Sequence, residues 1–141
     1  MHNILKTLCL LLSGAVFFIV QADAYSASQT EIENIESAEH IAVASDGEKI
    51  DSKISRNAGR APYYLIFDEN GALLKSIKNP AQSIRGGASK VVVDLFLKES
   101  CTTVIAGTFG DKMHTQLSAH NIAFHELEGN IKDVLEAFVK Q

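Results

Sequence analysis

The chain has 141 residues, 46% of them hydrophobic and 21% charged, and a formal net charge of −4. That length suits one domain with a core of its own and leaves no room for two. An acidic balance offers no broad positive field, so duplex DNA and RNA are not expected partners.

Residues 1–24 read as a targeting segment. The amino terminus and Lys6 give a weakly positive start, residues 8–20 are apolar apart from Ser13 and Gly14, and Ala22-Asp23-Ala24 has the small-x-small pattern of a signal peptidase site. The apolar run is shorter than the roughly 20 residues that span a bilayer. Cleavage after Ala24 is therefore expected, with no stable membrane span afterwards and with export to a periplasm or beyond the cell. A retained anchor is the alternative. Residues 25–39 carry Glu31, Glu33, Glu36 and Glu39 around the isolated Ile32 and Ile35. So little apolar surface does not offset ordering entropy, which makes this stretch an expected acidic, flexible leader. The domain itself is expected to span residues 40–141.

Within it, His40-Ile41-Ala42-Val43-Ala44 predicts a strand stopped by Ser45-Asp46-Gly47. Residues 62–68 predict a second strand, and Glu69-Asn70-Gly71 a hairpin turn into a third at 73–78. Ala88, Val91, Val92, Leu95 and Phe96 recur at helical spacing and predict an amphipathic helix over 87–99. A buried strand is expected at 102–106, then a helix over 111–120 with Met113 and Leu117 on one face, ended by Asn121 in the left-handed region. A last strand follows at 122–127. Asn130 caps the final helix, whose buried stripe is Ile131, Val134, Leu135 and Phe138. A meander followed by alternating strands and helices predicts a five-stranded mixed sheet with parallel pairing in its second half.

Cys9 lies in the segment expected to be removed, leaving Cys101 as the single thiol of the mature chain. No internal disulfide can form. Such a cysteine is either buried and inert, as its place in a strand favours, or a ligand or reactive thiol. His114 and His120 are six apart, which does not set them on one helix face. His114, close to the Gly110 turn, is the better ligand candidate. His120 is favoured near a helix end by the dipole, and His125 can face solvent from the last strand.

Several segments run in a fixed order: Ile41-Ala42-Val43-Ala44-Ser45-Asp46-Gly47, Gly59-Arg60-Ala61-Pro62-Tyr63-Tyr64-Leu65-Ile66, Asn79-Pro80, Gly86-Gly87-Ala88, Val104-Ile105-Ala106-Gly107-Thr108-Phe109-Gly110 and Asn121-Ile122-Ala123-Phe124. As a set they resemble the dinitrogenase iron-molybdenum cofactor biosynthesis family. The resemblance implies a ribonuclease H-like three-layer α/β domain with a five-stranded mixed sheet and about three helices. It implies carriage of an iron-sulfur or iron-molybdenum type cluster, or of a related small ligand, without turnover. Family members commonly show His-Phe-Gly-Arg before the second strand, where this chain has Asn57-Ala58-Gly59-Arg60. An asparagine is no substitute for an imidazole as a ligand to a soft or borderline metal.

With the first, third, fourth and fifth strands parallel and the second antiparallel, the motif loops fall at one edge of the sheet, where open α/β sheets bind ligands. The candidate cofactor-binding residues are Ser45, Asp46, Asn57, Arg60, Arg85, Gly86, Gly87, Gly107, Thr108 and Gly110; the candidate metal ligands are His114 and Cys101. The turn at 107–110 opens a helix, so its amides and dipole suit an anion, with Arg60 and Arg85 able to add bidentate contacts. The expected function is that of an exported, non-catalytic binding protein for a metal cluster or anionic ligand. A repurposed small-ligand or protein-interaction module is the alternative. Metal-dependent nuclease chemistry needs clustered carboxylates, whereas Asp46, Asp68 and Asp94 fall on separate elements. Neither a nucleophile elbow nor a phosphate-binding Gly-Lys-Ser/Thr loop is present.

Overall fold

The computed structural model describes residues 39–141. The expected signal peptide and nearly all of the acidic leader lie outside the described residues. Strands β1 (His40–Ser45), β2 (Tyr63–Phe67) and β3 (Leu73–Lys78) come first, followed by helix α1 (Ala88–Lys98), β4 (Cys101–Ala106), α2 (Asp111–Ala119), β5 (Ala123–Glu126) and α3 (Ile131–Val139). The strands form one sheet in the order β3-β2-β1-β4-β5. β1 pairs antiparallel with β2 and parallel with β4, β2 pairs antiparallel with β3, and β4 pairs parallel with β5. The expected meander and mixed sheet are thus both present.

Alternation along the inner strands sorts side chains into two cores, because successive residues point to opposite faces. Ala42, Ala44, Tyr64, Ile66, Val104 and Ala106 meet Val92, Val93 and Phe96 of α1 and Met113 and Leu117 of α2. Ile41, Val43, Leu65, Phe67 and Ile105 meet Ile131 and Leu135 of α3 and Ile54. The result is three layers. β1, β2 and the second half of β4 are covered on both faces, which explains the apolar runs at 41–44, 63–67 and 104–106. β3 and β5, at the two edges, are mostly exposed. Tyr64 and Phe96 meet edge-to-face at a centroid distance of 5.0 Å, an arrangement that adds about 1 kcal/mol to their burial.

Local signals end the elements as the sequence suggests. Asn121 sits at φ 55, and the Asn130 side chain accepts the Lys132 N–H at 3.0 Å to cap α3. The hairpin is tightened by Asp68, whose carboxylate accepts the Asn70 and Ala72 N–H groups at 3.0 and 2.8 Å. Residues 46–61, to which the sequence assigns no element, are tied down by three isolated bridges: Ser45 to Ile54, Lys53 to Asn130, and Asn57 to Thr108. This segment runs across the carboxyl ends of β1 and β4 and forms one side of the site.

Candidate functional site

At the carboxyl ends of β1 and β4 the chain must turn, and residues 55–58 cross the turn after β4. The Ser55 N–H bonds to the Ala44 carbonyl at 2.8 Å, the Gly107 N–H to the Ser55 carbonyl at 3.0 Å, and the Ala58 N–H to the Thr108 carbonyl at 3.0 Å. Gly107 is buried. Beyond this crossing opens a cavity of about 600 Å³ lined by Asn57, Ala58, Gly59, Arg60, Ser89, Thr108, Gly110, Asp111, Lys112 and Met113. Three parts of the chain build it: the 57–60 turn, the first turn of α1, and the turn after β4 together with the first turn of α2.

The 57–60 turn is fixed from below by buried groups. The Tyr64 hydroxyl donates to the Ala58 carbonyl at 2.5 Å, and the Asn79 amide donates to the Gly59 and Ala61 carbonyls at 3.2 and 2.8 Å. Burial pushes the Tyr64 hydroxyl pKa well above its ordinary value, so it is a permanent donor. The Asn79 side chain also accepts the Ala81 N–H at 2.8 Å, holding the start of the next loop. Backbone carbonyls that would otherwise be orphaned in the interior are paired in this way.

Of the expected cofactor-binding residues, Asn57, Arg60, Thr108 and Gly110 meet at this cavity. The others do not line it. Ser45 is buried in its own turn, its hydroxyl donating to the Gly47 carbonyl at 2.6 Å, and the Asp46 N–H bonds to the Lys53 carbonyl at 3.1 Å. Arg85, Gly86 and Gly87 lie on an exposed loop next to the cavity. Gly86 and Gly87 take φ 84 and 72, and Gly87 is the N-cap of α1.

The expectation of free amides at 107–110 needs correction. The Gly107 N–H is used by Ser55, the Thr108 N–H by the Arg56 carbonyl at 2.6 Å, and the Phe109 N–H by Glu126 Oε1 at 3.2 Å. Gly107 is there because a Cβ would collide with Arg56, and its amide has no capacity left for a ligand. The available donors begin one step later. The first bond within α2 runs from the His114 N–H to the Gly110 carbonyl at 2.9 Å, and Gly110 provides no side-chain cap. The Asp111, Lys112 and Met113 N–H groups therefore stand at the positive end of the helix beside the cavity. Lys112 and Arg60 add positive charge to the lining, and Asp111 subtracts from it.

Neither metal candidate lines this cavity. Cys101 begins β4, five residues before Ala106, so at about 3.3 Å per residue it lies roughly 16 Å from the carboxyl edge. It is buried, and burial together with the Glu99 charge pushes its thiol up to about 12, with Lys75 opposing. A thiol so placed is not a ligand at the cavity. His114 is exposed one turn into α2, its ring edge-on to Phe124 at 4.6 Å. Among the described residues no group of three or more His, Cys, Asp or Glu side chains converges in a way that would hold a metal ion. The carboxylates considered for nuclease chemistry also lie apart. Asp68 is engaged by the hairpin, and Asp94 pairs with Lys90 on α1 at 2.7 Å.

Ser89, Lys112 and Met113 are site residues that sequence reasoning did not nominate. Their signal was position alone: each lies in the first turn of a helix that starts at the loaded edge. The cavity donors are hydroxyls, an amide, backbone N–H groups, a guanidinium and an ammonium, with the largely buried Met113 thioether as the one soft atom. That set suits hydrogen bonding and charge neutralisation of an anion. It does not suit strong coordinate bonds to a soft or borderline metal.

Residues 39–141 match the family described as dinitrogenase iron-molybdenum cofactor. The chain belongs to that family. Among solved structures, the domain is similar to the apo form of the orange protein from Desulfovibrio gigas, with a TM-score of 0.68 at 23% identity over 74% of this chain and 89% of that one. It is also similar to a Thermotoga protein described as a candidate NifB protein, with a TM-score of 0.62 at 24% identity over 72% and 88% of the two chains. At such identities the likeness is one of fold. No curated protein sequence matches the chain. Membership of the dinitrogenase cofactor family agrees with the resemblance carried by the ordered segments. Within that family this chain has asparagine at position 57, exposed at the cavity, where the Thr108 hydroxyl lies 3.4 Å from its Oδ1.

Proposed function

We propose that this member of the dinitrogenase iron-molybdenum cofactor family is an exported, non-catalytic binding protein whose cavity holds an anionic ligand by hydrogen bonds and charge. A metal cluster is included in that class where it presents anionic oxygen or sulfur atoms to the protein. The observation that carries the reading is the meeting of Arg60, Lys112 and the uncapped amides of Asp111, Lys112 and Met113 at one cavity of about 600 Å³. The family supports cluster carriage, the three layers support a ribonuclease H-like naming of the fold, and the apolar first 24 residues support export. The scattered titratable groups favour binding over turnover, since acid-base or metal-assisted chemistry needs them in mutual reach.

Two measurements test it. Titration with inorganic phosphate, followed by amide chemical shifts, is expected to move the signals of Asp111, Lys112 and Met113, and Arg60→Ala and Lys112→Ala should each weaken the effect. Anaerobic reconstitution with iron, sulfide and molybdate is expected to leave metal on the protein that is lost at high salt, as a charge-held cluster would be. Protein that shows no amide shift with phosphate and retains no metal would refute the proposal. A protein-interaction module is the second reading; it predicts no response to either treatment.

A further inference from the structure

Arg60 has two employments at once. Its Nη1 donates to the Gln82 carbonyl at 3.1 Å and to the Ile84 carbonyl at 2.7 Å. Among the described residues these are the hydrogen bonds that reach the exposed stretch 82–86 from another segment. The Ile84 N–H otherwise closes a local turn onto the Ala81 carbonyl at 3.2 Å, and no side chain packs within 4 Å of where a Cβ would sit on Gly86 or Gly87. Upstream the loop is anchored by the buried Asn79 and Ala81; downstream it becomes the N-cap of α1, two residues before Ser89 at the cavity. Two glycines at positive φ give this stretch no stiffness of its own.

A guanidinium carries five N–H donors in one plane. The two hydrogens of Nη1 are spent on the loop, which fixes the plane and leaves the edge formed by Nε and Nη2 for a bidentate contact. Arg60 itself lines the cavity. We infer that Arg60 is a positioning residue that ties the 82–87 loop across the mouth of the cavity, and that an oxyanion taken on its free edge tightens that tie. This rests on the proposed anion-binding reading for its second half only. Lysine cannot replace it, because one ammonium does not hold two carbonyls in a plane and still present a fork to a ligand.

The test begins without any ligand, by hydrogen exchange of the purified protein. The Ile84 amide is expected to exchange about tenfold faster in both Arg60→Ala and Arg60→Lys than in the wild type, the loss of a charge-assisted bond pair. Millimolar guanidinium should slow that exchange again in Arg60→Ala and leave the wild type unchanged, a rescue that a general loosening of the fold would not show. Equal Ile84 exchange in all three proteins overturns the tether, whatever the cavity binds; if Arg60→Ala does not fold, Arg60→Lys decides. Inorganic phosphate is then added. It is expected to slow Ile84 exchange in the wild type and not in either variant. Phosphate that shifts the Asp111–Met113 amides yet leaves Ile84 unaffected overturns the tightening while anion binding stands. Phosphate that shifts nothing overturns anion binding and the tightening together and leaves the tether to the ligand-free result.

Discussion

A Cβ on Gly107 would stand 2.8 Å from the Arg56 Cα and 2.8 Å from the Arg56 carbonyl oxygen. Two backbones cross there with no side chain between them, joined by the bonds from Gly107 to Ser55 and from Thr108 to Arg56. The crossing places the 57–60 turn against the start of α2 and so makes the cavity. Close approach, and not a special φ, is what demands glycine at this position.

Gly107→Ala should force the two segments apart and cost about 1–3 kcal/mol, the usual range for overpacking against backbone that cannot yield. Gly110→Ala is the control: it has extended backbone and open space where its Cβ would go, and is expected to stay within about 0.5 kcal/mol of wild type. Thermal unfolding of the two variants side by side decides the matter. Equal melting temperatures would mean that the crossing has slack that the distances do not reveal.

Tyr64→Phe keeps the ring that packs on Phe96 and removes the hydroxyl bonded to the Ala58 carbonyl. That carbonyl belongs to a buried residue and would lose its partner. The expected cost is about 1–3 kcal/mol, read as a lower urea midpoint at an unchanged slope. Because Ala58 is part of the cavity wall, phosphate affinity should fall with it.

Alkaline stability should report the Cys101 thiol. Its pKa is raised in the fold from an ordinary 9.0 to about 12, so the folded state holds a proton that the unfolded chain has released. The contribution is complete below about pH 9 and is lost as pH climbs towards 12. Tyr64, shifted in the same direction, adds to the loss at the upper end. Cys101→Val should therefore flatten the fall in stability between those limits. Parallel decline of both proteins across the window would count against a buried neutral thiol, as would rapid alkylation of the native wild type at pH 8.

Reading the chain succeeded where a signal is local. Residues 63–67 are apolar because both faces of β2 are covered, and the stripe Ile131, Val134, Leu135, Phe138 needs only helical spacing to be seen. Asn121 and Asn130 act through their own backbone neighbourhood. Residues 46–61 gave no such signal. The helical spacing of Ile50, Ile54, Ala58 and Ala61 misleads, since the segment forms no helix; what orders it is the pairing of Lys53 with Asn130 and of Asn57 with Thr108, each at least 50 positions further along the chain. The site shows the same division. Arg60 and Gly110 stand in recognisable turns, whereas Ser89 and Lys112 were hidden in helices. The amides assumed free at 107–109 are spent on contacts that no local pattern encodes.

Asn57→His restores an imidazole at the position where the family resemblance has one. Asn57 is exposed and shares the cavity lining with Gly110 and Met113, so a histidine there can turn its ring into the same space without displacing a buried group. An amide oxygen holds a soft or borderline metal weakly, and an imidazole nitrogen holds it well. If the cavity is where a cluster sits, the variant should keep reconstituted iron and molybdenum through a high-salt wash that strips the wild type, since a coordinate bond is not screened as a charge contact is. Its affinity for phosphate should change little, because Arg60, Lys112 and the α2 amides are untouched. Metal content after the wash, measured on both proteins, gives the answer: equal loss from each would place any cluster somewhere other than this cavity.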